Sequence, residues 1–207
     1  MKFSRILSGL ALAALIGLIP AGAEASSLCD ADLINLVKNC GFELSPQNAP
    51  TLYWTDALGY NKTWVSGNLG YLSNSGSEML SLGASGVVDT ESQTLTTVAG
   101  QAYSISFFYW SDGLPANNTF LSMSFGGTTV FSQANLPYTP VYAQFTGTAV
   151  ATSSATVLSI GGRNDNGYLL VDDVQVDPTA SPEPGSMFLL GSGLLCVVMA
   201  ARQISKH

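Results

Sequence analysis

Charge is what this chain has least of. Only 10% of its 207 residues are charged, against about 25% in an ordinary soluble domain. That deficit excludes a coiled coil and a charged disordered tail, both of which need dense charge. Bases are scarcest, with seven Lys and Arg set against fourteen Asp and Glu. They form no cluster, so nucleic acid is excluded as a partner. The single histidine, His207, is the last residue of the chain. The body of the sequence therefore has no imidazole, which removes Ser-His-Asp and Cys-His catalysis and most transition-metal sites. A Gly-x-Ser-x-Gly elbow is also missing from the body. Asp172 and Asp173 are adjacent, and on a regular strand they project to opposite faces. They make a poor pair for glycoside hydrolysis, and the chain is read as a non-enzyme.

Apolar residues, by contrast, are plentiful. The mean hydropathy is +0.28, and two short end segments supply much of it. At the N-terminus, Lys2 and Arg5 precede an apolar run from Ile6 to Ile19, then Ala21-Gly22-Ala23-Glu24-Ala25. A basic start, an apolar stretch and an Ala-x-Ala site predict a signal peptide over residues 1–25, with cleavage points that fit after Ala23 and after Ala25, the latter preferred. At the C-terminus, Pro182-Glu183-Pro184-Gly185 leads into an apolar run from Met187 to Ala201, followed by Arg202 and Lys206. As a helix, Gly185 to Ala201 would span about 25 Å, the short end of the range for a membrane crossing. The basic flank would lie in the cytoplasm and the preceding domain outside it.

The tail resembles the PEP-CTERM sorting signal of Gram-negative bacteria. The match rests on Pro182, Glu183 and Pro184, the Gly-rich apolar stretch Gly191 to Leu195, and the basic end. Arg202 stands nearly alone where that family usually carries an arginine cluster. The resemblance implies an exported protein held transiently in the inner membrane, cut by an exosortase, and destined for the cell surface or extracellular matrix of an exopolysaccharide producer.

Between the ends, residues 26–180 form one domain. Twelve acidic and three basic residues give it a net charge of −9. Its pattern is β throughout. Tyr103, Ile105, Phe107 and Tyr109 share one face of a strand over Ala102–Trp110, with Ser104 and Ser106 on the other. Phe120–Phe125 alternates too, and Gly126-Gly127 predicts a hairpin into Thr128–Phe131. Further strands are expected at Glu78–Leu82, Ser92–Val98, Val141–Ala149, Ala155–Ile160 and Tyr168–Val176. Many short strands at this spacing predict an all-β jelly-roll β-sandwich. Cys29 and Cys40 lie in the exported part, where disulfides persist. They form either a disulfide or two free thiols. Cys196 falls in the apolar tail.

Three stretches resemble carbohydrate-binding-module jelly rolls of the galactose-binding-domain-like group. They are Leu36-Val37-Lys38-Asn39-Cys40-Gly41-Phe42-Glu43 near the start, Ser92-Gln93-Thr94 with Gly100 and Tyr103 in the middle, and Leu169–Val176 at the end. The resemblance implies that Glu43 and the Asp172-Asp173 pair come together, and that they hold a structural calcium with backbone carbonyls. Alternation puts Asp172 on one face with Tyr168, Leu170, Val174 and Val176, an inward carboxylate that needs a cation or strong hydrogen bonds. The bland alternative is hydrogen bonding to turn amides. Asn164-Asp165-Asn166-Gly167 lacks the downstream glutamate of a calcium loop and is read as a turn.

For a carbohydrate ligand, aromatic planes beside amides and carboxylates are the expected mix. Tyr53, Trp54, Tyr60, Trp64 and Tyr71 lie in a loop-rich stretch. Trp54 is expected in the core. Tyr60 and Trp64 are expected at the surface, with Trp110 lining the same rim. The function expected is non-catalytic binding of extracellular polysaccharide. The rival is a structural or adhesive matrix protein with no small ligand, and the weakest alternative is a hydrolase.

Overall fold

The structure is a computed structural model and describes residues 26–60, 62–113, 118–165 and 167–180. The expected signal peptide, Cys196 and the sorting residues Pro182, Glu183, Pro184 and Arg202 lie outside the described residues.

Two five-stranded antiparallel sheets pack face to face. The strands in chain order are β1 (Thr55–Asp56), β2 (Thr63–Val65), β3 (Glu78–Leu82), β4 (Asp89–Thr96), β5 (Ala102–Ser111), β6 (Thr119–Phe125), β7 (Thr128–Ala134), β8 (Ala143–Val150), β9 (Ala155–Asn164) and β10 (Leu169–Pro178). One sheet runs β1-β4-β9-β6-β7 and the other β2-β3-β10-β5-β8. Every expected strand is present, and the jelly-roll sandwich stands. Two very short edge strands, β1 and β2, were not visible in the sequence, because a pair or triplet of residues shows no period.

Alternation builds the core. Leu95, Leu121, Met123, Phe125, Leu158 and Ile160 point inward from the first sheet. Leu80, Leu82, Ile105, Phe107, Val171, Val174 and Val176 meet them from the second. The sheets approach so closely at Gly162 that a Cβ there would lie 2.6 Å from the Leu82 Cβ. Gly126 and Gly127 both take positive φ, 59° and 80°. This is the backbone that a two-residue hairpin with the right twist requires.

Trp54 is buried, 5.7 Å from the Phe42 ring, and its indole N–H donates to the Asn39 carbonyl. Its core placement matches the expectation. Cys29 and Cys40 form the disulfide, both buried against this corner.

Candidate functional site

The outer face of the second sheet carries the aromatic residues. On β5 the inward row is Tyr103, Ile105 and Phe107, so Phe108 and Trp110 face out. Trp110 stands opposite Leu170 in the β5–β10 register. Leu170 and Met79 form a buried apolar floor on this side. Above it lie the loop from Gly70 to Asn74 and the segment Pro140-Val141-Tyr142 that enters β8. Together these enclose a groove of about 420 Å³, with Trp110 along one side and no charged residue in the lining.

Tyr71 is the hub of the rings. Its centroid lies 5.0 Å from Trp110, 5.3 Å from Tyr168 and 6.2 Å from Trp64. Tyr168 and Trp64 touch at 4.8 Å. Tyr138 meets Trp110 edge-on at 6.1 Å. Trp64, Tyr71, Trp110 and Tyr168 are each half-buried, and Tyr138 is exposed. Trp64 and Trp110 are thus brought to one surface through Tyr71. Tyr60 is exposed, and among the described residues its ring makes no such contact. Sequence reasoning missed Tyr138, Tyr142 and Tyr168, which lie far along the chain from the loop they meet. Burial and the nearby Asp112 carboxylate push the Tyr71 phenol above its usual range.

The loop that walls the groove is held by three acids. Asp172 Oδ2 accepts from the backbone N–H of Asn74 at 2.8 Å and of Ser75 at 3.2 Å, and its Oδ1 accepts from the N–H of Asp173. Asp173 accepts from Asn74 Nδ2, Ser75 Oγ and the Cys29 N–H. Glu43 accepts from the N–H and hydroxyl of Ser77 and from the N–H of Glu78. All three carboxylates therefore converge on the loop from Asn74 to Glu78. Tyr142 completes the wall, its hydroxyl donating to the Leu72 carbonyl at 3.0 Å.

Two strand-phase expectations are corrected here. Asp172 and Asp173 do not project to opposite faces; both are buried, and both bond the same loop. Nor does Asp172 share a face with Val174 and Val176. Leu169 and Val171 belong to the core, so Leu170 and Asp172 lie on the outer side. The cause is a bulge. The β10–β5 register shifts between Asp172 and Gln175, and Asp173 takes a left-handed φ of 50°. The bulge reverses the alternation and returns Val174 to the core.

Burial, with the Asp173 charge beside it, pushes the Asp172 carboxyl up to about 8. Burial and Glu43 push Glu78 up to about 7. Burial, Asp172 and Asp173 hold the Tyr142 phenol far above its usual range. As folded, the carboxylate oxygens of Glu43, Asp172 and Asp173 are turned to N–H and O–H donors. A calcium ion would have to displace those donors.

A second buried polar group lies where β1 and β4 of one sheet approach β2 of the other. Lys62 is only 3% exposed, and its Nζ lies 2.7 Å from Asp56, 2.8 Å from Asp89 and 3.2 Å from Glu91. Asp89 and Glu91 occupy the inward row of β4 that Leu95 continues. One ammonium faces three carboxylates. Burial pushes Glu91 up to about 7 against the pull of the Lys62 ammonium. Asp56 is held below its usual range, the Lys62 ammonium and the N–H groups of Leu58 and Gly59 outweighing burial. The four residues have no motif spacing, and nothing in the sequence singled them out.

Just past the C-terminal end of β9, Asp165 pairs with Arg163 and accepts from the Gly86 N–H. Asn164 is the last residue of β9 and donates to Asp112.

Comparison with known proteins adds a sorting motif and a fold. The PEP-CTERM protein-sorting motif matches residues 182–203, a signal that implies an exported protein. No curated protein matches the chain. Among solved structures, the chain is similar to TmCBM61 in complex with β-1,4-galactotriose. The likeness has a TM-score of 0.51 and 16% identity, and covers 70% of this chain and 99% of that one. It is also similar to the CBM22-1 xylan-binding domain of Xyn10C from Paenibacillus barcinonensis, at TM-score 0.47 and 15% identity, over 66% and 92% of the two chains. At such identities the likeness is one of fold. The domain has the fold of a carbohydrate-binding-module jelly roll.

Proposed function

We propose that the exported domain binds an extracellular polysaccharide chain, without catalysis, along the groove on the outer face of its second sheet. The observation that carries this reading is the run of rings from Trp64 through Tyr71 and Trp110 to Tyr138, beside an uncharged groove. Aromatic faces stack on the C–H faces of sugar rings, and Ser73 and Asn74 lie in the lining, their donors spent on the Gly76 carbonyl and Asp173 and their oxygens left to accept from sugar hydroxyls. The acids nearest the groove, Asp172 and Asp173, are occupied in holding its wall, which supports binding over hydrolysis. An inner-membrane stage before exosortase processing would place the domain at the cell surface or in the matrix.

The test is binding of the Ser26–Ala180 chain to a polysaccharide panel, alongside Trp110→Ala and Tyr71→Ala. Saturable binding to one glycan class is expected, weakened roughly tenfold or more by either substitution, the loss that follows when a central aromatic anchor is truncated. A flat panel, or binding indifferent to both substitutions, overturns the proposal.

A further inference from the structure

The buried group around Lys62 holds the parts of a condensation as well as those of an ion pair. An amine joins a carboxyl as an amide when the two are held in contact and a neighbour can move a proton between them. Lys62 Nζ lies 2.8 Å from Asp89 Oδ1 and 3.2 Å from Glu91 Oε1, and the three side chains are 3%, 3% and 0% exposed. An oxygen at 2.8 Å puts the Asp89 carboxyl carbon at most about 4 Å from the nitrogen. Groups held at about 3–3.5 Å react as though at very high concentration. The Thr90 N–H already donates to Asp89 Oδ1 at 2.9 Å, where negative charge would build during attack.

We propose that Lys62 and Asp89 condense into an intramolecular amide, with Glu91 carrying the proton. Burial pulls the Lys62 ammonium down, but the three acids outweigh it, so its proton passes to a neighbour in contact. It goes to Asp89, which leaves a free amine facing a carboxyl. The Nζ lone pair forms the bond to the Asp89 carboxyl carbon, and Glu91 takes a second proton from the nitrogen. Burial inclines Glu91 to hold one, its carboxyl being pushed up to about 7. Glu91 then returns that proton to the Asp89 hydroxyl, which leaves as water. A C–N bond replaces one C–O bond, one water is released, and nothing is oxidised or reduced.

Asp56 also lies 2.7 Å from Nζ. Despite burial, Lys62 and the N–H groups of Leu58 and Gly59 hold it as a carboxylate, and a carboxylate resists attack by an amine. Asp89 shares the inward row of β4 with Glu91, so acceptor and proton carrier face the amine together. The product is neutral where two buried charges stood, and buried ions are costly. Lys62 directly precedes β2 of one sheet, and Asp89 opens β4 of the other. The bond ties the two sheets covalently beside the edges that the short β1 and β2 close. This inference does not rest on glycan binding.

Mass spectrometry of a tryptic digest tests the proposal, on the full chain taken from its folded state, then denatured and reduced. Trypsin cuts after a free lysine and not after an amide-linked one. The expected product is a single peptide from Asn39 to Arg163, one water lighter than its sequence, with fragments joined through Lys62 and Asp89. Glu91→Gln and Asp89→Ala should each release Asn39–Lys62 and Thr63–Arg163 as separate peptides, and Asp56→Ala should leave them joined. Where a variant fails to fold, the digest of the unsubstituted chain decides alone. Separate peptides of full mass from that chain overturn the inference. So does a bond that ends on Asp56, or one that forms as completely in Glu91→Gln.

Discussion

Lys62 carries the only positive charge in a buried group of four, and its removal isolates three carboxylates. Lys62→Met keeps the apolar stem and deletes the ammonium. A loss of about 3–5 kcal/mol is expected, as when one partner of a buried ion group is taken away; denaturant unfolding measures it, and Glu91→Gln in the same background should recover part. Glu91 also sets a pH dependence. Its carboxyl titrates at about 7 in the fold, against 4.5 ordinarily. The folded state therefore holds more protons between those values, and the stability Glu91 contributes is fully present below pH 4.5 and lost as pH rises through 7. Asp172, at about 8 against 3.8, adds a loss of the same sign across a wider window. Asp165, held near 2 by Arg163 and the Gly86 N–H, acts oppositely, but only below pH 3.8. The melting temperature should thus be higher at pH 5 than at pH 8, and Glu91→Gln should flatten the slope; a profile that rises toward pH 8 would contradict the assignment. None of this was legible in the sequence, because the four residues meet only when the sheets do. The available hint was an acidic pair, Asp89 and Glu91, in the alternation phase of Leu95.

At the scale of elements, period and turn chemistry were enough to place the long strands. Ala102–Trp110 and Phe120–Phe125 fall where their alternation predicted, and the Gly126-Gly127 hairpin has the backbone its residues demand. Period failed at β10, where one left-handed residue, Asp173, inverts the phase halfway along. A bulge has no side-chain signature when the residue is not glycine, and the misassigned face of Asp172 followed from it. The consequence is mechanical: the bulge aims both acids at the loop from Asn74 to Ser75, and that loop walls the groove. Ser75 Oγ donates to both oxygens of Asp173 and accepts from the Leu28 N–H. Calcium and this hydrogen-bonded latch compete for the same carboxylate oxygens. Since those oxygens already accept from amide hydrogens, equal melting temperatures in calcium and in EDTA are expected. A midpoint raised by calcium would reassign the carboxylates to the ion, since a ligand specific to the folded state must stabilise it. Ser75→Ala, which removes bonds to a buried carboxylate, should cost about 1.5–3 kcal/mol by thermal unfolding.

On the scale of the whole molecule, the β-domain and the sorting motif after it were legible because each has its own composition. The groove was less so. Trp64 and Trp110 were named as candidates, but Tyr71 as the hub and Tyr168 and Tyr138 as partners emerge only when β2, β3, β10 and β5 line up in that order. Net charge then constrains the ligand. The domain is at −9, its groove has no charged lining, and two of its three cations, Lys62 and Arg163, are held by acids. A uronate-bearing polymer would bring negative charge to a negative body with no cation in the groove to receive it. The ligand expected is therefore a neutral glycan, held by stacking and hydroxyl contacts. Stacking is not screened by salt, whereas repulsion between exposed charges fades once the Debye length falls from about 10 Å at 0.1 M to about 3 Å at 1 M. Titration calorimetry with a neutral polysaccharide should give affinities that agree within about twofold across that range. An acidic polymer should bind weakly at low salt and gain as salt is added. Affinity that falls steeply with salt would mean that attraction between opposite charges drives binding, and would move the site away from this groove.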